Sequence, residues 1–199
     1  MIPADDSVLV LVDVQNGFVS PHGRHVVAPI AEFTREWAAS GRPYIMTRFI
    51  NYPGSLFEQL IRWSAMMPGT PETEIVNELA NLVPGAAAVL DKPTYSLFND
   101  EGTELVARHG WKHIVIVGLD TESCVLKTAV DAFEHGLVPW VVEDLVYSHA
   151  GQVEHEAGLL VTGRFIGRGQ IVQAQDARPV ETVGGDADVR MHIQREVSP

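Results

Sequence analysis

The chain has 199 residues, 46% of them hydrophobic, and carries 14 Lys and Arg against 26 Asp and Glu, a formal net charge of −12. That length suits one large domain with a real core, and the acidic balance argues against a nucleic-acid partner or adhesion to an anionic membrane. One cysteine excludes an internal disulfide, the acidic N-terminus lacks a signal-peptide pattern, and no apolar run is long enough to cross a bilayer, so we expect a cytoplasmic protein.

Ser7 to Asp13 opens the chain with five consecutive apolar residues closed by a carboxylate, as in a strand buried on both faces. Val26 to Ser40 reads as a helix with Ile30, Phe33 and Trp37 on one stripe, and Gly41 ends it. Tyr44 to Thr47 is the next strand, followed by Arg48. Residues 50–69 read either as a short helix around Phe57, Leu60 and Ile61 or as a long loop punctuated by Pro and Gly. Pro71-Glu72-Thr73-Glu74 predicts the start of a helix that runs to about Leu82. Ala86 to Leu90 is a third strand, with Lys92 at its end because Pro93 cannot continue the ladder.

Gly102 to His109 is a helix closed by Gly110. Ile114 to Val117 is a central strand ended by Gly118, and Thr121 is placed to cap a helix from Val125 to His135. Pro139 to Glu143 is a fifth strand, Val153 to Arg164 a helix weakened by Gly158 and Gly163, and Gly169 to Gln173 a short last strand. We expect a domain over residues 1–175 and a tail over 176–199, which reads as an edge strand, an arm onto a neighbouring subunit, or disorder. Alternation of strands and helices predicts an α/β fold with a parallel sheet between helix layers. Ligands bind such sheets at the carboxyl ends of the strands. Asp13, Lys92 and Cys124 all fall there, far apart in sequence but on one edge.

Cys124 sits where its helix begins. A thiol at a helix N-terminus is expected to have a lowered pKa and a reactive thiolate, although a lone cysteine is also a common small core residue. A nucleophilic thiol needs a base or a cation beside it. Asp13 and Lys92 fit these roles, or else are a turn acid and a solvated lysine.

Three motifs resemble those of the isochorismatase-like cysteine hydrolases, the superfamily that includes nicotinamidases and N-carbamoylsarcosine amidases. They are Val10-Leu11-Val12-Asp13-Val14-Gln15-Asn16-Gly17-Phe18, Lys92-Pro93-Thr94-Tyr95-Ser96-Leu97-Phe98, and Val117-Gly118-Leu119-Asp120-Thr121-Glu122-Ser123-Cys124-Val125. The resemblance spans roughly residues 7 to 173 by our placement of the elements. It implies a three-layer sandwich around a six-stranded parallel sheet in the order 3-2-1-4-5-6. It further implies Asp13 as catalytic base, Lys92 as thiolate-stabilising cation and Cys124 as nucleophile. A cis peptide between Leu119 and Asp120 and an oxyanion hole made by the backbone N–H groups of Asp120 and Cys124 complete the implied site.

The implied reaction is hydrolysis of a small amide, ureide or carbamoyl compound through a thioester. A vinyl-ether hydrolase is the alternative within the family, although isochorismatases proper lack the Cys. A redox or binding module using the same Cys is the alternative outside it, and a nucleotide-binding domain is disfavoured because no glycine-rich phosphate motif occurs. Nicotinamidases carry a metal-binding Asp-x-His after the second strand. Here that segment is Thr47-Arg48-Phe49-Ile50-Asn51, and His22 and His25 lie in another loop, so we expect no metal and no cofactor. Arg48 is expected either to anchor a substrate carboxylate or to join a surface salt bridge. Asn16, Phe18, Tyr95 and Phe98 are expected to line the pocket. A small-molecule substrate and a homodimer or homotetramer complete the expectations.

Overall fold

A computed structural model describes residues 2–3, 5–19 and 21–178. Six parallel strands, β1 (Ser7–Val12), β2 (Tyr44–Phe49), β3 (Ala88–Lys92), β4 (His113–Leu119), β5 (Val138–Tyr147) and β6 (Ile171–Val172), form one sheet in the order β3-β2-β1-β4-β5-β6. The doubly wound order expected from the resemblance is therefore the order found. The helices are α1 (Arg24–Ala39), α2 (Leu56–Gln59), α3 (Asp100–His109), α4 (Leu126–Glu134), α5 (Gln152–Ile166) and α6 (Ala174–Ala177). Among the described residues no helix is long and apolar enough to cross a membrane.

The three layers follow from strand alternation. Leu9, Leu11, Val115 and Val117 point to one face and pack with Ile30, Phe33 and Trp37 of α1 and with Ala174 and Ala177 of α6. Val8, Val10, Ile114 and Ile116 point to the other and pack with Leu105 of α3, Ala129 of α4 and Ile166 of α5. Strands covered on both sides need apolar residues at every position, which is why β1 and β4 read as continuous hydrophobic runs.

Several local expectations are corrected. Residues 71–82 do not form one helix. Two 3₁₀ turns, Pro71–Thr73 and Asn77–Leu79, flank an extended stretch that runs antiparallel to Gln15. The N–H groups of Asn16 and Gly17 donate to the carbonyls of Glu74 and Glu72, and Val76 N–H donates to the Val14 carbonyl. Thr73, Ile75 and Val76 are β-branched and weak helix formers, so these tertiary bonds prevail. β4 continues through Gly118 to Leu119, and β5 extends past Glu143 to Tyr147. The register shifts between Ile116 and Gly118, so the two acids at 143 and 144 sit in an irregular stretch. There Glu143 accepts from Gln173 Nε2 and Asp144 accepts from the Ala174 N–H. β6 keeps only two of the five residues expected, and the core continues through Ala177. The tail expected from 176 onward lies outside the described residues after Arg178.

Candidate active site

Register brings the three candidate side chains together. β1 pairs with β2 and β4, and β2 with β3, so Asp13, Lys92 and the turn after Leu119 open on the same edge. Asp13 follows β1 with φ 49°, a left-handed conformation that Asp tolerates better than most side chains. Its carboxylate is fully buried and fully used. Thr47 Oγ1 accepts from the Asp13 N–H at 3.1 Å and donates to Oδ1 at 2.6 Å. Lys92 Nζ donates to Oδ2 at 2.6 Å and to the carbonyls of Thr94 and Tyr95 at 3.0 and 2.8 Å. The ammonium is 1% exposed, and its three donors have three acceptors. Such a pair in the interior is tolerable because its hydrogen bonds are complete. Burial pulls the Lys92 ammonium down, but the charges and hydrogen bonds of Asp13 and Cys124 outweigh it, and the net direction is up.

The sulfur sits in a different turn from the one expected. Thr121–Val125 is a single π-helical turn, with the Val125 N–H donating to the Asp120 carbonyl at 3.0 Å, and α4 proper begins at Leu126. Thr121 does not cap it. The Thr121 hydroxyl instead meets His155 Nδ1 of α5 at 2.9 Å. The peptide between Leu119 and Asp120 is cis. Cys124 is 4% exposed, and burial pushes its thiol up from the ordinary range. Lys92 pulls it down and Asp13 pushes it up. The expectation of a lowered thiol pKa is therefore reversed, because burial and the neighbouring carboxylate outweigh Lys92. The charges of Asp13 and Lys92 both act on the Cys124 thiol, in opposite directions.

Gly158 lets α5 press on this turn. A Cβ there would lie 2.7 Å from Glu122 N and 2.8 Å from Glu122 Cα and Thr121 C. The glycine that weakens the helix in sequence terms is what seats the helix against the turn that carries Cys124.

A cavity of about 360 Å³ opens over the sulfur. Phe18, Phe49, Phe57, Trp63 and Tyr95 form an aromatic wall with Ile61 and Arg62. Asp120, Glu122, Ser123, Cys124 and His149 supply the rest of the lining. Phe18 and Tyr95 were expected there. Asn16, Arg48 and Phe98 were expected but are elsewhere. Asn16 is exposed and donates to the Pro71 carbonyl. Arg48 forms a two-point ion pair with Asp91, the neighbour set by β2–β3 register. Phe98 stacks on His135 of the connection after α4.

The wall is pinned by two buried amides, Gln15 inside the motif from Val10 to Phe18 and Asn51 outside all three motifs, neither of which was expected to act this way. Gln15 donates to the carbonyls of Phe49 and Thr73 and accepts from the Phe49 N–H. Asn51 donates to the carbonyls of Trp63 and Ala65 and accepts from the Tyr52 N–H and the Ser55 hydroxyl. Elsewhere in the lining, both Asp120 carboxylate oxygens accept from His149, from its N–H at 2.9 Å and its Nδ1 at 2.5 Å. That hydrogen bond raises the His149 pKa, despite partial burial. Among the described residues no group of three or more His, Cys, Asp or Glu could hold a metal ion. Thr47, Arg48 and Asn51 are each engaged by the partners named above.

A family model for the isochorismatase domain matches residues 7–164. Nicotinamidase 3 of Arabidopsis thaliana is 27% identical over 161 residues, covering 77% of this chain and 79% of that protein. An isochorismatase-like hydrolase from Alkaliphilus metalliredigens superposes with a TM-score of 0.75 at 18% identity, over 86% of this chain and 97% of its own. N-carbamoylsarcosine amidase from Thermoplasma acidophilum superposes with a TM-score of 0.68 at 25% identity, over 79% and 93%.

Proposed function

Since the chain belongs to the isochorismatase family, we propose that it is a cysteine-dependent hydrolase that cleaves the C–N bond of a small amide, ureide or carbamoyl compound. One observation carries this reading: a buried Asp13–Lys92 pair, 2.6 Å apart, on the sheet edge where Cys124 lines a ligand-sized cavity, with the charges of both groups acting on its thiol. The similarity to a nicotinamidase and to an N-carbamoylsarcosine amidase supports amide-type substrates.

Asp13 takes the Cys124 proton as the sulfur attacks the carbonyl carbon. Lys92 holds the Asp13 carboxylate in place and favours the sulfur anion as it forms. The backbone N–H groups of Asp120 and Cys124 hold the tetrahedral oxyanion. The C–N bond then breaks, and the proton on Asp13 passes to the leaving nitrogen. Water gives a proton to Asp13 and attacks the thioester, and that proton returns to the departing sulfur. The high thiol pKa fits this sequence, because the resting enzyme keeps a neutral thiol and forms the thiolate only with a carbonyl in position.

We further propose a cytoplasmic enzyme, a compartment where its one free thiol stays reduced. A homodimer or homotetramer is supported by apolar side chains left exposed on α5, Leu160 and Phe165 among them, and is checked by native mass. The function is tested by screening small amides, ureides and carbamoyl compounds for ammonia release and by intact-mass detection of an acyl adduct on Cys124. Full turnover by Cys124→Ala would refute it.

A further inference from the structure

The cavity has a chemical polarity beyond its reactive floor. Its aromatic wall suits a flat or ring-shaped body. Arg62 is the one Lys or Arg among the residues lining it, and no ion pair engages that guanidinium among the described residues. Arg48, expected either to anchor a substrate carboxylate or to join a salt bridge, takes the second course with Asp91.

Arg62 also holds a conformation that costs energy. Its φ is 61°, in the left-handed region that non-glycine residues enter only when their surroundings impose it. The surroundings here are identifiable. Trp63 N–H donates to the Phe57 carbonyl and Asn51 grips the Trp63 carbonyl, so the backbone on the C-terminal side of Arg62 is anchored. The chain turns sharply to put Arg62 and Trp63 on the cavity together. Neither acid of the lining is ion-paired to Arg62 among the described residues. Asp120 is paired with His149, and Glu122 accepts from the Ser148 hydroxyl through Oε1 while its Oε2 is buried without a hydrogen-bond partner among the described residues.

We propose that Arg62 is a specificity-determining residue that receives an anionic group, a carboxylate in the first instance, on a substrate whose flat body lies along the aromatic wall and whose amide carbon faces Cys124. This deepens the hydrolase reading and rests on it for the word substrate, but the binding claim stands separately. Arg presents two parallel donors to a carboxylate, so recognition is directional as well as electrostatic.

The test uses 3- and 4-carbamoylbenzoate, with benzamide as the uncharged comparison. Equilibrium binding to full-length Cys124→Ala is measured by calorimetry, which needs no turnover. Ammonia release is then measured with the intact enzyme. A carbamoylbenzoate is expected to bind more tightly than benzamide, and Arg62→Ala to reduce that preference about tenfold, the factor carried by one charge-assisted hydrogen bond at a solvent-facing site. Arg62→Lys is expected to restore part of it, and added salt to weaken it. Equal binding of the charged and uncharged amides, or a preference unchanged in Arg62→Ala with an unaltered melting temperature, overturns the proposal. Arg62-dependent binding without ammonia release from any amide would leave it standing and sink the hydrolase reading instead.

Discussion

The contact between α5 and the turn that carries Cys124 makes a prediction in which one substitution has opposite signs at two positions of one helix. Replacing a helical Gly by Ala gains about 1 kcal/mol of intrinsic helix stability. At Gly163 the new Cβ would meet Arg168 Cγ at 3.3 Å and Ile171 Cδ1 at 3.4 Å, side-chain atoms able to give by a few tenths of an ångström. The propensity gain survives there, and Gly163→Ala is expected to raise stability by about 0.5–1 kcal/mol. At Gly158 the Cβ would meet three backbone atoms of Thr121 and Glu122 at 2.7–2.8 Å, well inside the ordinary contact range that begins at 3.4 Å. Backbone in a closed turn cannot swing aside, and overpacking of this kind costs about 1–3 kcal/mol or more. Gly158→Ala is therefore expected to be net destabilising by about 1–2 kcal/mol, a melting temperature lower by roughly 2–8 °C for a domain of this size. The displaced turn carries Cys124, so turnover should fall about tenfold or more, since misplacement near 1 Å costs about 100-fold. Thermal denaturation of both variants and an ammonia-release assay read the two effects. Equal melting temperatures for Gly158→Ala and Gly163→Ala, with equal turnover, would refute the close approach and the argument built on it.

Lys92→Met removes the partner of a fully buried carboxylate and should cost about 3–5 kcal/mol, measured by urea denaturation, with part recovered in the Asp13→Asn, Lys92→Met double variant. Because the folded Lys92 pKa lies above its ordinary 10.5, its contribution should be complete below that pH and lost as pH rises through the folded value, so wild-type melting temperature should fall in strong alkali by this route and Lys92→Met should lack that component. Asp13 pushes the Cys124 thiol up, so Asp13→Asn should shift the pH profile of iodoacetamide alkylation to lower pH while abolishing turnover; an unmoved profile would show that the carboxylate does not act on the sulfur. Asn51→Ala strips the hydrogen bonds that hold Trp63 and Ala65 and should raise KM about tenfold with a smaller change in kcat, read from initial rates.

What could be read in advance was set by burial. Strands covered on both faces must be apolar throughout, and three candidate residues at three strand ends must share an edge, so both the sheet and the placement of Asp13, Lys92 and Cys124 on one edge of it were legible. The cavity wall was not. Phe49, Phe57 and Trp63 come together through Gln15 and Asn51, whose amides satisfy carbonyls of distant segments. A lone Gln or Asn leaves no periodic trace. Glu143 and Asp144 looked like the end of a strand because polar residues usually are, yet a register shift lets β5 continue past them. Thr121 had the chemistry of a cap, and only the position of His155, 34 residues later, diverted its hydroxyl. The reversed thiol pKa has the same origin: a helix start is a local feature, whereas desolvation depends on everything packed around it.

The segment from Leu56 to Trp63 supplies half of the apolar and aromatic side chains that line the cavity, Phe57, Ile61 and Trp63, but none of the proposed reacting groups, and it lies between β2 and β3 rather than within the sheet. On the proposed reading, part of the selectivity is thus encoded apart from the reacting groups. Transplanting residues 52–65 between relatives, with Asn51 retained as the anchor, would exchange what is recognised while leaving how it is cleaved untouched.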